Sequence, residues 1–350
     1  MNKDLFEKVR KKSVEQAIPL QASLELTYRC NERCTHCYIE KFQDDPARIL
    51  ELDDWKKILK ELRSAGTLYL VLMGGEPTLS SHFFSILNYG SDLGFYMSII
   101  SNGLKIQDIE YARKLKEGGL RLATFSLYSL DPLIHDKMTS VKGSHAKLMK
   151  AIFLCRDAGI KVSLNGLLTE ANAKGIFDLY EWADTEGLEL KVDPNVTAKL
   201  NGDMQPTLYR ASRETLTWFY RERAKRWENA LPTPVVEPSN AYVCNAAKGK
   251  CAVNPYGELL PCIEIREAFG SLVEKSFAEL WASDKAIKWR EPKIKDLSLG
   301  EHQAIYGFCD HCPGMAKNEH GKPMQLTDYT KVVAEVKSQV FREFQRESDL

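Results

Sequence analysis

Residues 22–37 read ASLELTYRCNERCTHC, an apolar, strand-like run that leads directly into three closely spaced cysteines. Similar runs, rich in branched and aromatic residues, recur five more times before residue 194 and alternate with amphipathic helical patterns. This alternation is the sequence form of repeated βα units, which build a parallel sheet. We therefore predict an α/β fold with six strands: Ala22–Tyr28, Leu68–Met73, Tyr96–Ser101, Leu122–Tyr128, Ile160–Leu168 and Leu188–Asp193.

The charge balance restricts the class of partner. Lysine plus arginine (48) equals aspartate plus glutamate (48) in a chain of 350 residues, so no net field attracts nucleic acid or an anionic membrane. The first residues lack the apolar core of a signal peptide and no run reaches about 20 apolar residues, so we expect neither a secretion signal nor a membrane span. We expect a cytoplasmic protein with no nucleic-acid or membrane partner.

Composition along the chain suggests five segments. We predict an N-terminal extension over 1–21, the barrel-forming part over 22–204, a linker helix with a proline-rich connector over 205–240, a small cysteine-containing domain over 241–326 and a C-terminal helix over 327–350. The arginines of the linker helix suit either an acidic peptide or phosphate ligand or a solvated helix face, and the second interpretation is simpler.

Eight of the nine cysteines fall into two groups, whereas Cys155 lies on the apolar face of a helical pattern and reads as a core residue. The first group, Cys30, Cys34 and Cys37, follows the first strand at the end where parallel barrels place active sites. Three thiolates hold three irons of a 4Fe-4S cluster and leave the fourth iron open. The alternative is zinc with His36 as a fourth ligand, which is awkward because His36 lies inside the loop.

Further motifs follow on successive predicted strands. Residues 74–77 read GGEP after the second strand, residues 101–103 read SNG at the end of the third, and Ser126 lies near the end of the fourth. Taken alone, each motif also suits an ordinary turn or a solvated side chain. Together with the CxxxCxxC loop, they resemble the radical S-adenosylmethionine (radical SAM) superfamily over roughly residues 24–193.

This resemblance implies a partial (β/α)6 parallel barrel, a 4Fe-4S cluster on Cys30, Cys34 and Cys37, and S-adenosylmethionine on the open iron. It also implies that one electron from the cluster splits the sulfonium to give a 5'-deoxyadenosyl radical. The residues implied to bind the cofactor share positions at the strand ends: His36, Gly74, Gly75, Glu76, Ser101, Asn102 and Ser126. Glu76 offers a negative charge to an ammonium group, and His36 offers a flat face to adenine.

The second cysteine group comprises Cys244, Cys251, Cys262, Cys309 and Cys312. Residues 254–262 read NPYGELLPC, and this hairpin with the later CxxC resembles the auxiliary-cluster domains called SPASM and twitch. All five cysteines are candidate ligands. The full SPASM pattern has further cysteines after the CxxC and this sequence has none beyond Cys312, so the resemblance implies one auxiliary 4Fe-4S cluster rather than two. A zinc site on Cys251, Cys262, Cys309 and Cys312 is the alternative. Ile263 stands where sulfatase-maturing relatives have an aspartate base, which counts against that activity.

The layout resembles peptide-modifying enzymes and the pyrroloquinoline quinone synthesis enzyme. We therefore expect the enzyme to abstract hydrogen from a peptide, and the product to be a crosslink, an epimer or an oxidised residue. One alternative is a dehydrogenase or other modifier of a small metabolite, and another is a non-catalytic iron-sulfur sensor. Flavodoxin or ferredoxin is the expected electron donor.

About twenty residues precede the first strand, so a peptide substrate is expected to need direct docking or a separate recognition protein. No catalytic side chain is readable beyond the cluster and its cofactor.

Overall fold

The computed structural model describes residues 3–227, 230–235 and 237–348. Within these residues, nine strands form one sheet in the order β6-β5-β4-β3-β2-β1-β7-β8-β9. The strands are β1 (Gln21–Glu25), β2 (Tyr69–Met73), β3 (Tyr96–Ser101), β4 (Leu120–Ser126), β5 (Lys161–Leu167), β6 (Glu189–Asp193), β7 (Lys250–Val253), β8 (Glu258–Leu260) and β9 (Gly270–Ser271).

Helices follow the strands and cover the sheet. They are α1 (Lys3–Glu15), α2 (Leu52–Ser64), α3 (Phe83–Asp92), α4 (Ile109–Glu117), α5 (Pro132–Thr139), α6 (Ser144–Asp157), α7 (Ile176–Thr185), α8 (Arg213–Arg226), α9 (Phe277–Trp281), α10 (Asp284–Arg290), α11 (Pro313–His320) and α12 (Asp328–Ser348). On α2, the apolar side chains at i, i+3, i+4 and i+7 (Trp55, Ile58, Leu59 and Leu62) are all buried against the sheet. Cys155 is fully buried in α6, as expected.

All six predicted strands are present and pair in parallel, which confirms the α/β partial-barrel prediction. The main difference is that β1 ends at Glu25 rather than at Tyr28. Residues 27 and 28 leave the ladder because their backbone and hydroxyl groups bond to the Asp44 carboxylate, at 2.5 Å from Thr27 Oγ1 and 2.6 Å from Tyr28 N. The strand thus turns into the cysteine loop earlier than its apolar pattern suggests.

The predicted hairpin of the small domain is present as β7 and β8, and it lies beside the first strand. β7 pairs in parallel with β1, from Gln21 opposite Lys250 to Leu24 opposite Val253. The C-terminal segment therefore extends the barrel sheet at the edge that β1 presents, and β1 is an interior strand. Sheet pairing therefore places Cys251, which is on β7, beside the strand that leads into the first cysteine group.

The arginine-rich helix α8 packs on α12, which begins at Asp328. Arg210 pairs with Glu319, Arg213 with Glu335, and Arg221 with Glu343 at 2.7 Å. These arginines are therefore occupied by acidic partners on α11 and α12. The segment boundaries proposed above stay predictions, and residues 1–2, 228–229, 236 and 349–350 of those segments lie outside the described residues.

No helix within the described residues has the length and apolarity to cross a membrane.

Candidate active site

The cysteine loop is held on one side by the two glycines that follow β2. Gly75 N donates to Thr27 O at 2.8 Å, and Glu76 N donates to Arg29 O at 2.8 Å. A Cβ at Gly74 would collide with the Thr27 carbonyl oxygen, and a Cβ at Gly75 would collide with the carbonyl oxygens of Arg29 and Tyr28. Gly74 also has a φ of 136°, which L side chains rarely adopt. The glycine pair is thus required by close contact with the chain that enters Cys30.

The opposite side of the loop is held by the end of α5. Arg33 N donates to Thr139 O at 3.0 Å, and Thr35 N donates to Met138 O at 2.9 Å. Within the loop, Cys37 N donates to the Cys34 carbonyl oxygen at 3.1 Å and closes a tight turn. These backbone bonds place the loop between the carboxyl ends of β1, β2 and β4, where a parallel barrel positions its chemistry.

Glu76 links the ends of β2 and β3. Its carboxylate accepts hydrogen bonds from Thr78 Oγ1 at 2.6 Å, Ser101 Oγ at 2.9 Å and Asn102 N at 2.9 Å. Burial raises the pKa of Glu76, and these donors lower it. Because Ser101 and Asn102 of the SNG turn both donate to the carboxylate, Glu76 holds this turn in place. The sequence pattern alone suggested an acid facing a ligand.

Asn102 connects this hydrogen-bond network to the first cysteine. Its side-chain Nδ2 donates to Asn31 Oδ1 at 2.7 Å and lies 3.8 Å from Cys30 Sγ. Its Oδ1 accepts from Leu104 N at 3.1 Å, which fixes the orientation of the amide. The motif on β3 thus contacts the cysteine loop directly.

His36 and Ser126 both interact with the side chain of Tyr128. The His36 ring lies edge-on to Tyr128 with ring centroids 4.5 Å apart, and Tyr128 stacks on His135 at 5.5 Å. Ser126 hydrogen-bonds to the Tyr128 side chain. Burial lowers the pKa of His36 to about 4, so the ring is neutral at physiological pH. The Nδ1 atom of His36 is buried and has no hydrogen-bond partner among the described residues.

The thiols of the loop lie in a poorly solvated and partly acidic environment. Burial raises the pKa of Cys30 to about 12 and also raises the pKa values of Cys34 and Cys37. Glu32, which the sequence analysis did not single out, is buried between them and accepts a hydrogen bond from Cys34 Sγ at 3.4 Å. Burial raises the pKa of Glu32 to about 8. Cysteine ligands bind as thiolates, so the charge that stabilises them has to come from metal.

The loop fits an iron-sulfur cluster by the chemistry of its donors. It presents three thiols on eight consecutive residues, and its backbone is fixed from two sides. Among the described residues, no three His, Cys, Asp or Glu side chains converge on a single metal position. A 4Fe-4S cube does not require such convergence because each thiolate binds a different iron at a separate corner.

Three cysteines of the second group lie near one another. Burial raises the pKa of Cys312 to about 11, and the nearby charges of Glu264 and Cys244 raise it further. Burial likewise raises the pKa of Cys262 to about 12, and Cys312 contributes in the same direction. Cys244 and Cys262 also share a small apolar cluster with Ala246, Ile265 and Trp289. The fold therefore brings Cys244, Cys262 and Cys312 into one region.

Cys251 and Cys309 have other surroundings. Cys251 is on β7 opposite Ala22 and packs, with Val253, into the main apolar core. Burial alone raises its pKa to about 12, with no contribution from another thiol. Cys309 is half-buried and packs on a separate apolar cluster, although the CxxC spacing keeps it close to Cys312 along the chain.

A buried ion pair joins the barrel to the second domain and lies between the two cysteine groups. Arg266 donates two hydrogen bonds to the Glu25 carboxylate, at 2.6 and 2.7 Å, and the Glu25 side chain is completely buried at the end of β1. Glu264 lies close by with its Oε2 buried and unpartnered among the described residues. Burial raises the pKa of Glu264 to about 7. Sequence patterns carry no signal for this trio, because its members are ordinary charged residues and Glu25 lies far along the chain from Glu264 and Arg266.

A cleft of about 610 Å³ lies beside this ion pair. Its walls come from residues adjacent to both cysteine groups, including Tyr28 and Ile39 near the first group and Leu260 and Arg266 near the second. Seven of its fifteen lining residues carry charge: Glu40, Lys41, Asp44, Asp45, Arg48, Glu258 and Arg266. The cleft has the size of a ligand site and mixes both signs of charge.

Comparison with protein-family models assigns both parts of the chain. The model of the radical SAM superfamily matches residues 24–183, which include the cysteine loop and the motifs on β2, β3 and β4. Residues 24–183 of this chain therefore form a radical SAM domain. A second model, for the iron-sulfur cluster-binding SPASM domain, matches residues 244–313. This radical SAM enzyme therefore binds a 4Fe-4S cluster and S-adenosylmethionine in its barrel, and its second domain is of the kind that binds auxiliary clusters.

Curated relatives span nearly the whole chain at low identity. A PqqA peptide cyclase from Bradyrhizobium diazoefficiens is 24% identical and covers 99% of this chain and 94% of that protein. The subtilosin biosynthesis protein AlbA from Bacillus subtilis is 24% identical over 92% of this chain and 75% of that protein. An AdoMet-dependent heme synthase from Methanosarcina barkeri is 26% identical over 84% of this chain and 89% of that protein.

Solved structures share the fold. SuiB from Streptococcus suis, bound to its precursor peptide SuiA, has a TM-score of 0.70 at 17% identity and covers 93% of this chain and 80% of that chain. The enzyme anSMEcpe with bound AdoMet and the Kp18Cys peptide has a TM-score of 0.74 at 16% identity and covers 95% of this chain and 99% of that chain. These likenesses confirm the architecture of a barrel followed by a cysteine-rich domain.

We expect Gly75→Ala to disrupt the site of this radical SAM enzyme. The added Cβ would collide with two backbone oxygens of the cysteine loop, which cannot move as a flexible side chain can. The cost is about 1–3 kcal/mol of overpacking, with loss of iron from the barrel cluster. Thermal unfolding and iron analysis measure both effects. The matched control is Gly175→Ala, whose Cβ would meet only Asp178 Oδ2 at 3.9 Å; equal behaviour of the two variants would contradict the role assigned to Gly75.

Proposed function

We propose that this enzyme abstracts hydrogen from a peptide substrate bound in the cleft between its two cysteine groups. The observation that carries this proposal is the cleft itself, whose lining is close in sequence to both groups and is nearly half charged. A peptide offers backbone amides and charged side chains to such a surface. Relatives named for peptide cyclisation and bacteriocin biosynthesis support the same substrate class. The product is a crosslink, an epimer or an oxidised residue.

The chain's own residues would hold the cofactors. Cys30, Cys34 and Cys37 would ligate the barrel cluster, and His36, Gly74, Gly75, Ser101, Asn102 and Ser126 would line the S-adenosylmethionine site, with Glu76 ordering the last turn. When bound, the cluster and S-adenosylmethionine supply one-electron cleavage and a radical that removes hydrogen from the substrate. The protein positions the reacting groups, and the Glu25–Arg266 pair holds the second module over them.

For the second domain we propose one auxiliary 4Fe-4S cluster on Cys244, Cys262, Cys309 and Cys312. The proximity of Cys312 to Cys244 and Cys262, and the apolar cluster that Cys244 and Cys262 share, support three of these ligands. The CxxC spacing supports Cys309. Cys251 faces the apolar core and is the spare thiol. The same placement counts against a zinc site that includes Cys251.

We expect Cys262→Ala to lose about half of the bound iron and Cys251→Ala to retain all of it, because only the first removes a cluster ligand. Iron per chain after anaerobic reconstitution measures the difference. The pair is well matched because both side chains are buried thiols in neighbouring strand ends. Equal iron loss in the two variants would contradict this ligand assignment.

The second candidate is modification of a small metabolite. The similarity to AdoMet-dependent heme synthases, which extends over 84% of this chain, favours it. A tetrapyrrole presents a broad apolar face, whereas charged residues form nearly half of the lining of the cleft. We therefore place the peptide first.

The remaining partners follow from the chemistry. We propose a cytoplasmic enzyme that receives electrons from a flavodoxin or ferredoxin and binds its peptide either directly or through a separate recognition protein. Membership of an enzyme superfamily favours catalysis over the sensor alternative.

The test is substrate-dependent stimulation of deoxyadenosine formation. Extract from the source organism is divided by size into a peptide fraction and a small-molecule fraction, and each is assayed with and without protease treatment. We expect stimulation by the peptide fraction that protease destroys. An Arg48→Glu variant, altered on the wall of the cleft, should keep the unstimulated rate and lose most of the stimulation. Stimulation by the small-molecule fraction alone would replace the peptide with a metabolite.

A further inference from the structure

Lys248 is a buried cation that has no anionic partner among the described residues. Its side chain is only 2% exposed, in the segment between Cys244 and β7. The ammonium donates to the carbonyl oxygen of Arg290 and lies 3.9 Å from the centroid of the Tyr242 ring. No carboxylate in the described part of the chain forms an ion pair with it. Lysine is rarely buried to this extent unless it is paired.

The neighbours of Lys248 add more uncompensated positive charge around it. Lys293 lies over the same Tyr242 ring, at 3.1 Å from its centroid, and the Arg290 guanidinium is also close. Both are cations, so their charges oppose a third positive charge nearby. Burial lowers the pKa of Lys248 to about 8, and Cys244 is the neighbour that raises it. The group is therefore charged at neutral pH, and the nearby group that favours this charge is a proposed cluster ligand.

We propose that Lys248 is the counter-charge of the auxiliary cluster and raises its reduction potential. This inference rests on the proposed auxiliary cluster. A 4Fe-4S cluster with four thiolate ligands is a dianion when oxidised and a trianion when reduced, so it supplies the anion that Lys248 lacks. A fixed positive charge stabilises the reduced cluster more than the oxidised one, because the reduced form carries one more negative charge. Lys248 would thereby favour acceptance of an electron from the substrate radical.

The test is a redox titration of the reconstituted full-length enzyme followed by electron paramagnetic resonance. The auxiliary signal is the one that does not change when S-adenosylmethionine is added. We expect Lys248→Met to shift its midpoint potential to more negative values, whereas Lys248→Arg keeps the cation and stays near wild type. Lys295→Met is the matched control, because it removes an exposed lysine from the same domain and should leave the potential unchanged.

Two further readouts separate this charge effect from simple damage. Metal-free Lys248→Met should be at least as stable to heat as metal-free wild type, because the ammonium has no anionic partner there. Loss of auxiliary iron from Lys248→Met but not from Lys248→Arg would also support the proposal. An unchanged potential with full iron, or a metal-free Lys248→Met that is unfolded, would overturn it. Absence of auxiliary iron from the wild-type enzyme would instead remove the cluster proposal, together with this inference.

Discussion

Replacement of Cys30, Cys34 and Cys37 together with alanine is expected to abolish reductive cleavage of S-adenosylmethionine while leaving about four irons bound. The three thiols are on the barrel loop, whereas the proposed auxiliary ligands lie more than 200 residues later in a domain with its own apolar clusters. The barrel cluster therefore disappears and the auxiliary cluster stays. Deoxyadenosine yield under anaerobic, reducing conditions and iron content per chain measure the two effects.

The control for this triple variant is Cys155→Ala, which removes a buried thiol from α6 far along the chain from both cysteine groups. It should retain cleavage and all of the iron. Cleavage by the triple variant at the wild-type rate would refute the assignment of the barrel cluster. Stoichiometric zinc in place of the residual iron would refute the auxiliary cluster.

Removal of Arg266 is expected to be the most destabilising single change outside the cysteines. Arg266→Met leaves the Glu25 carboxylate completely buried and without the bidentate partner that binds it in the structure. Breaking a buried pair in this way costs about 3–5 kcal/mol, because the remaining charge is neither solvated nor paired. The double variant Glu25→Gln/Arg266→Met should recover much of this loss, since it removes both charges. Denaturant unfolding of the single and double variants measures the cost.

Arg48→Met is the comparison for Arg266→Met. Arg48 pairs with Glu258 across the same two modules at 3.1 Å, but their side chains are 51% and 35% exposed. An exposed pair contributes less than about 1 kcal/mol because water competes for both partners. If Arg266→Met and Arg48→Met reduced stability equally, the Glu25–Arg266 pair could not be the contact that holds the second domain.

Local patterns predicted most of the barrel. The six barrel strands alternate with helical patterns, so their approximate positions follow from the sequence pattern, and β3 begins at Tyr96 and ends at Ser101 as predicted. The NPYG turn likewise predicted the hairpin of β7 and β8. The pairing of β7 with β1 was not predictable in this way, because it joins segments about 230 residues apart through backbone bonds that leave no mark in the side-chain pattern.

Within the site, motif order identified the cysteine loop and its glycines, but not the role of each side chain. Glu76 was expected to face an ammonium group, which stays a prediction, and the structure adds that three residues of the protein donate hydrogen bonds to its carboxylate. Five C-terminal thiols looked equivalent, and only the placement of Cys251 in the apolar core distinguishes it. Glu25 and Arg266 carried no signal at all, since a charge at a strand end reads as solvated until its partner is seen.

The central claim is that hydrogen leaves a peptide in the cleft between the two clusters. It is tested most directly by deuterium transfer into deoxyadenosine, with peptides made from deuterated amino acids and with deuterated small molecules, including tetrapyrroles, as competing donors. We predict deuterated deoxyadenosine from at least one peptide in the wild-type enzyme and none in the variant lacking Cys30, Cys34 and Cys37. Transfer from a free metabolite, with none from any peptide, would contradict the account.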